Sequence, residues 1–105
     1  MTVEYTLIDG LIVEPDEGPY DMTLVNDKDL MEFHITEFPD GECRPEIMKI
    51  ADDACIIYNS LAKTFNRIVN GKIIYGNFYV VGIDKNNVPV SLSDKAKSAY
   101  TKMLG

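Results

Sequence analysis

Carboxylates are the most abundant reactive groups in this 105-residue chain, and they are unevenly placed. Fifteen of the seventeen Asp and Glu residues fall in residues 1–53, where the bases are Lys28, Arg44 and Lys49. Residues 54–105 hold two acids, Asp84 and Asp94, against seven bases. The first half carries −12 and the second +5, giving the net −7. Clustered carboxylates can move protons, ligate hard cations or attract a basic partner. Neighbouring residues on a strand face opposite ways, so Asp52-Asp53 is read as a turn rather than a paired-carboxylate site. An asymmetry this large speaks about partners. The plainer reading is a solvated acidic face that keeps the chain soluble. The sharper one makes Asp16, Glu17, Asp21, Asp27, Asp29, Glu32, Glu37, Asp40 and Glu42 a surface aimed at a basic partner. Direct binding of duplex DNA by this half is disfavoured, because phosphate contacts require Lys and Arg.

The other reactive side chains are sparse. Cys43 and Cys55 have eleven residues between them, and with the lone His34 they show no spacing of a zinc site. No metal is expected, and both cysteines are expected as free thiols, Cys55 as a small buried hydrophobe. The chain has no GxGxxG or GxxxxGK[ST] phosphate loop and no GxSxG elbow, and one histidine gives little with which to build a triad. The expectation is a chain without enzymatic activity and without a cofactor. Tyr75, Phe78 and Tyr79 are candidates for base stacking, but without interleaved arginines they read better as core and cross-strand pairs. Lys63, Arg67 and Lys72 form a second candidate surface, for the phosphates of a small nucleotide signal.

These groups must be positioned by a single domain spanning residues 1–105, since the length leaves no room for a second. The 46% hydrophobic content is ordinary for a globular chain. No apolar run approaches the roughly 20 residues of a membrane span, and nothing near Met1 resembles a signal peptide, so a cytoplasmic protein is expected. Alternation at Val3, Tyr5 and Leu7 leads into Leu11–Glu14, then a Pro-Asp-Glu-Gly-Pro turn and a returning strand over Tyr20–Val25. Asn26 is placed to cap a short helix over Asp27–Phe33, the competing reading being a strand through Phe33 and Ile35. Glu46–Ile50 and Ala54–Tyr58 read as strands around Asp52-Asp53. Leu61, Phe65, Ile68 and Val69 fall at helical spacing and predict a helix closed by Asn70-Gly71. Ile73–Ile83 is rich in β-branched and aromatic residues, with a bulge or close approach at Gly76. Asp84-Lys85-Asn86-Asn87 turns into Val88-Pro89-Val90. A serine-capped helix follows from about Asp94, with Ala96, Ala99, Tyr100, Met103 and Leu104 as its apolar face. The sum is an α+β fold, a small antiparallel sheet with a C-terminal helix packed on one face.

Three stretches carry a family resemblance. Ile12-Val13-Glu14-Pro15 resembles the opening of a domain family of uncharacterised function common in phages and mobile elements of Gram-positive bacteria. Cys55-Ile56-Ile57-Tyr58-Asn59, Phe65-Asn66-Arg67 and Tyr75-Gly76-Asn77-Phe78-Tyr79-Val80-Val81-Gly82 look like its middle. Val90-Ser91-Leu92-Ser93-Asp94, Tyr100 and Met103-Leu104 resemble its close. The family usually has a Gly-Gly after its first helix, where this chain has the acidic stretch Glu37–Glu46, and its segment around Asn66-Arg67 is mostly loop. No catalytic residue follows from the resemblance. The setting it implies is anti-defence, and the length and charge are similar to compact anti-CRISPR proteins acting on type II systems. The implied partner is a host CRISPR effector nuclease, with or without its guide RNA, inside a bacterial cell. Such nucleases hold nucleic acid in positively charged channels, where the nine acids would stand in for phosphates. Two alternatives stay open: a module sequestering a small nucleotide signal, and a structural domain without a ligand. The sequence leaves the oligomeric state open.

Overall fold

The computed structural model describes residues 6–26 and 45–105. In chain order the elements are β1 (Thr6–Val13), β2 (Tyr20–Asn26), β3 (Pro45–Ala51), β4 (Ala54–Asn59), β5 (Phe65–Val69), β6 (Lys72–Tyr75), β7 (Phe78–Ile83), β8 (Pro89–Val90) and helix α1 (Asp94–Leu104). The main sheet runs β2-β1-β7-β4-β3 with β8 beside β7, and β5 and β6 form a separate two-stranded hairpin. All strand pairs are antiparallel. The architecture is the expected α+β sheet with a C-terminal helix on one face. No helix among the described residues is long and apolar enough to cross a membrane. The expected helix over Asp27–Phe33, together with His34 and Cys43, lies outside the described residues.

Two strands make the core. β4 reads Ala-Cys-Ile-Ile-Tyr-Asn and β7 reads Phe-Tyr-Val-Val-Gly-Ile, and all six residues of each are buried. Near-continuous β-branched and aromatic runs suit central strands covered on both faces. Alternation sends Leu11, Val13, Ile56, Phe78 and Val80 to one face, where Val69 and Ile74 of the hairpin and Leu104 of α1 pack on them. Ile8, Cys55, Ile57, Tyr79, Val81 and Ile83 form a second cluster on the other face. Phe78 and Tyr79 are fully buried, which removes them as base-stacking residues. Burial of a side chain the size of Leu104 stabilises by about 2 kcal/mol.

Helix α1 starts at Ser93, whose Oγ accepts the Ala96 N–H at 3.2 Å, with Asp94 in the first turn and Lys102 in the last. Both charges complement the helix dipole. Ahead of it, the Leu92 N–H donates to the Asp9 carbonyl at 2.7 Å and the Asp9 N–H donates to Ser91 Oγ at 3.0 Å, tying the helix entrance to β1. Its buried line is narrower than the sequence suggests. Ala96, Tyr100 and Leu104, spaced by four, meet the core, whereas Ala99 and Met103 are exposed. One i, i+4 row is all that a three-turn helix lays on the sheet here.

The predicted helix over Leu61–Val69 is corrected to the β5 side of a hairpin. Asn70 and Gly71 adopt φ of 50° and 80°, the pair of positive values that a tight two-residue hairpin turn demands and that Asn-Gly supplies. The flanking Ile68, Val69, Ile73 and Ile74 are β-branched, which favours strand over helix. The predicted run Ile73–Ile83 is broken at Gly76, where φ is 71° and a Cβ would stand 2.6 Å from that of Ala62. That close approach agrees with the sequence.

Asn66 joins the hairpin to the sheet. It is 5% exposed, and its Nδ2 donates to the carbonyls of Val13 at 3.0 Å and Gly76 at 2.7 Å. Asn66→Ala leaves both carbonyls without this donor and should destabilise the fold by about 2–3 kcal/mol. Thermal unfolding should show Tm falling by roughly 10 °C. A fall below about 3 °C would show that the bridge is dispensable.

Candidate interaction surface

Three of the nine predicted partner-binding acids can be placed. Asp16 and Glu17 lie in the β1–β2 turn, and Asp21 is the second residue of β2; all three are exposed. The turn closes on itself: the Glu14 N–H donates to the Glu17 carbonyl at 3.1 Å, and the Glu17 N–H to the Glu14 carbonyl at 3.3 Å. The Tyr20 hydroxyl donates to Glu17 Oε2 at 3.3 Å. Asp21 stands 3.8 Å from Lys97 Nζ, its own side chain 83% exposed. A pair this long and wet is worth little, and it dilutes the negative field on the side of the turn nearest α1. Asp27, Asp29, Glu32, Glu37, Asp40 and Glu42 lie outside the described residues.

Arg67 holds this turn from behind. Its Nη1 donates to the carbonyls of Glu14 at 3.1 Å and Pro15 at 3.3 Å and to Asn66 Oδ1 at 2.6 Å. Its Nε donates to the carbonyl of Leu104, the last helical residue. A guanidinium offers five N–H donors in a rigid fork, and here Nε and Nη1 are engaged by backbone carbonyls of two other elements and by Asn66. Of the expected phosphate-binding set Lys63, Arg67 and Lys72, Arg67 has Nε and Nη1 engaged within the fold. Adjacent residues on β5 thus clamp the β1 end, the acidic turn, the Gly76 bend and the helix C-terminus. Nothing in the sequence pointed to this, because a helix was expected there.

Lys72 belongs to a different feature. Its Nζ lies 5.7 Å from the centre of the Tyr58 ring, a distance suited to a cation–π contact. The Tyr58 hydroxyl donates to Glu46 Oε2 at 2.9 Å. Burial, followed by that bond and the Glu46 charge, raises the Tyr58 pKa above its ordinary value. Glu46, Tyr58, Ser60, Lys72, Ile73 and Tyr75 border a notch of about 180 Å³. Of the predicted stacking residues Tyr75 alone is exposed, opposite Phe65 on the outer face of the hairpin. Asp52 and Asp53 form the exposed turn between β3 and β4, as expected. The Asp53 charge adds to burial in raising the Tyr100 pKa.

Cys55 is fully buried in β4, and burial pushes its thiol pKa up to about 11 from 9.0. The native state then keeps a proton that the unfolded chain releases, so stability is untouched below about pH 9 and falls as pH rises toward 11. In a Cys43→Ser variant, Cys55 should resist a thiol reagent at pH 8 until the protein is unfolded; rapid native labelling contradicts its placement. A second outcome concerns the clamp. Arg67→Lys retains the charge but loses the fork, and should cost about 2 kcal/mol in denaturant unfolding. Millimolar inorganic phosphate should not raise the Tm of the wild type, whereas a phosphate-dependent rise would restore Arg67 as a ligand. No family model matches the chain, and neither a curated protein nor a solved structure matches it.

Proposed function

We propose that this chain is a non-enzymatic binding protein that engages a basic macromolecular partner through its acidic half. Within that class the reading is an anti-defence protein of a phage or mobile element, an anti-CRISPR inhibitor of a type II effector nuclease in the bacterial cytoplasm. The observation that carries it is a turn bearing Asp16 and Glu17 exposed to solvent while its backbone is fastened by Arg67 to two other elements. Carboxylates on a preorganised turn lose less freedom on binding than carboxylates on a loose loop. The −12 of residues 1–53 supplies the field that steers encounter with a positively charged channel. The resemblance described above supplies the CRISPR setting. The nucleotide-binding alternative would draw on Lys63, Lys72 and Nη2 of Arg67, whose Nε and Nη1 hold carbonyls.

Purified type II effector, with and without guide RNA, is the test. Association should weaken at least about tenfold between about 50 and 200 mM salt, as exposed charges are screened. Asp16→Asn, Glu17→Gln and Asp21→Asn combined should slow association with little change in Tm, since exposed substitutions usually cost no more than about 0.5 kcal/mol each. Neutralising Lys95, Lys97 and Lys102 should leave inhibition intact or strengthen it, because Lys97 no longer offsets Asp21. Inhibition that survives neutralisation of all nine acids, or is lost in the lysine variant, overturns the reading.

A further inference from the structure

The tip of the β5–β6 hairpin combines a reactive sequence with a fastening. Asn70-Gly71 is the one place in the chain where glycine follows asparagine, and both residues are exposed. Asn70 Nδ2 donates to the Ile50 carbonyl of β3 at 3.0 Å, so the tip is tied to the main sheet while Asn66 and Arg67 hold the base. The backbone nitrogen after an asparagine can attack the side-chain Cγ, and the following side chain is the main obstacle to its approach. Gly71 has no side chain, and a Cβ built there would meet nothing within 4 Å. Asn59, Asn66, Asn77, Asn86 and Asn87 are instead followed by Ser, Arg, Phe, Asn and Val. Asn59 and Asn66 are buried besides.

We propose that Asn70 is a site of spontaneous deamidation, and that its conversion unfastens the hairpin tip from β3. The Gly71 nitrogen bonds to Asn70 Cγ, the Cγ–Nδ2 bond breaks, and ammonia leaves with the proton that the Gly71 nitrogen gives up. Water then adds to either carbonyl carbon of the cyclic imide and returns a proton to the nitrogen, giving aspartate or iso-aspartate at position 70. Both products replace a donor by a carboxylate. An ionised carboxylate only accepts, so it repels the Ile50 carbonyl that the amide had held. Iso-aspartate also adds a methylene to the main chain, at a two-residue turn whose φ values of 50° and 80° suit the unmodified pair. While the bond to Ile50 is made it keeps Cγ away from the Gly71 nitrogen. Conversion therefore proceeds through local openings of the tip, and its rate follows them.

Peptide mass spectrometry of the full chain, held in mildly alkaline buffer and sampled over days, is the test. The peptide carrying Asn70 should gain the mass of an amide-to-acid exchange and split into two products on chromatography. It should do so before the peptides carrying Asn59, Asn66 or Asn77 change. Conversion should be faster in urea, where the tip is open. Gly71→Ala should abolish it over the same period in buffer and in urea alike, so the result does not depend on folding. Asn70→Asp reproduces the new charge without the extra methylene. It should lower Tm by roughly 4 °C, as expected for one lost hydrogen bond, and speed amide exchange at the tip and in β3. Asn70 intact after another asparagine has reacted, or a native rate equal to that in urea, overturns the proposal. An Asn70→Asp variant with the Tm and exchange of the wild type overturns the unfastening.

Discussion

Among the described residues, the acidic turn, the β5–β6 hairpin and the end of α1 are joined by one clamp, the Asn66-Arg67 pair on β5. Two adjacent side chains satisfy carbonyls of Val13, Gly76, Glu14, Pro15 and Leu104. Those carbonyls belong to the end of β1, the bend before β7, the acidic turn and the end of α1. Buried carbonyls need donors, and the sequence concentrates them in one amide and one guanidinium. Asn66 is fully engaged, since its Oδ1 accepts from Arg67 while its Nδ2 donates twice. The hairpin therefore acts as a brace, and its inner residues Val69 and Ile74 complete the core while its outer residues face water.

The clamp bears on the proposed function through entropy. A turn such as Glu14–Tyr20 would ordinarily be the most mobile part of a β1–β2 hairpin. Fastened to the helix end by Arg67, it displays Asp16 and Glu17 in a fixed setting. Electrostatic recognition gains chiefly in rate and specificity, and fixed charges gain most. The outer hairpin face of Phe65, Ile68, Ile73 and Tyr75 is a separate, apolar and exposed surface. Salt screens the exposed charges of the acidic turn.

Much of the fold was legible in the chain. The continuous apolar runs of β4 and β7, the Asp52-Asp53 turn, the serine-capped helix and the close approach at Gly76 all follow from local patterns that the tertiary structure obeys. The hairpin did not follow, for a physical reason. Leu61, Phe65, Ile68 and Val69 satisfy a helical period by coincidence, and the period outweighed the stronger local signals of Asn70-Gly71 and four β-branched neighbours. A helix over Leu61–Val69 would separate Phe65 and Ile68 from Tyr75 and Ile73, whereas the hairpin pairs them. The bracing role of Arg67 was not legible, because its acceptors, the carbonyls of Glu14, Pro15 and Leu104, lie 37 to 53 residues away. The charge asymmetry was legible as a count; of the nine acids Asp16, Glu17 and Asp21 are exposed, and the other six lie outside the described residues.

Native-state hydrogen exchange on the wild type and Arg67→Ala tests the clamp most directly. The amides to follow are Glu17 in the acidic turn, those of the β5–β6 ladder, and Gly105, which donates to the Thr101 carbonyl at the helix end. If Arg67 binds these elements into one unit, protection should fall by the same factor in all three segments, roughly 30-fold for a loss of about 2 kcal/mol. A fall confined to β5 and β6, with Glu17 and Gly105 unchanged, would show that the turn and the helix end are held by other means.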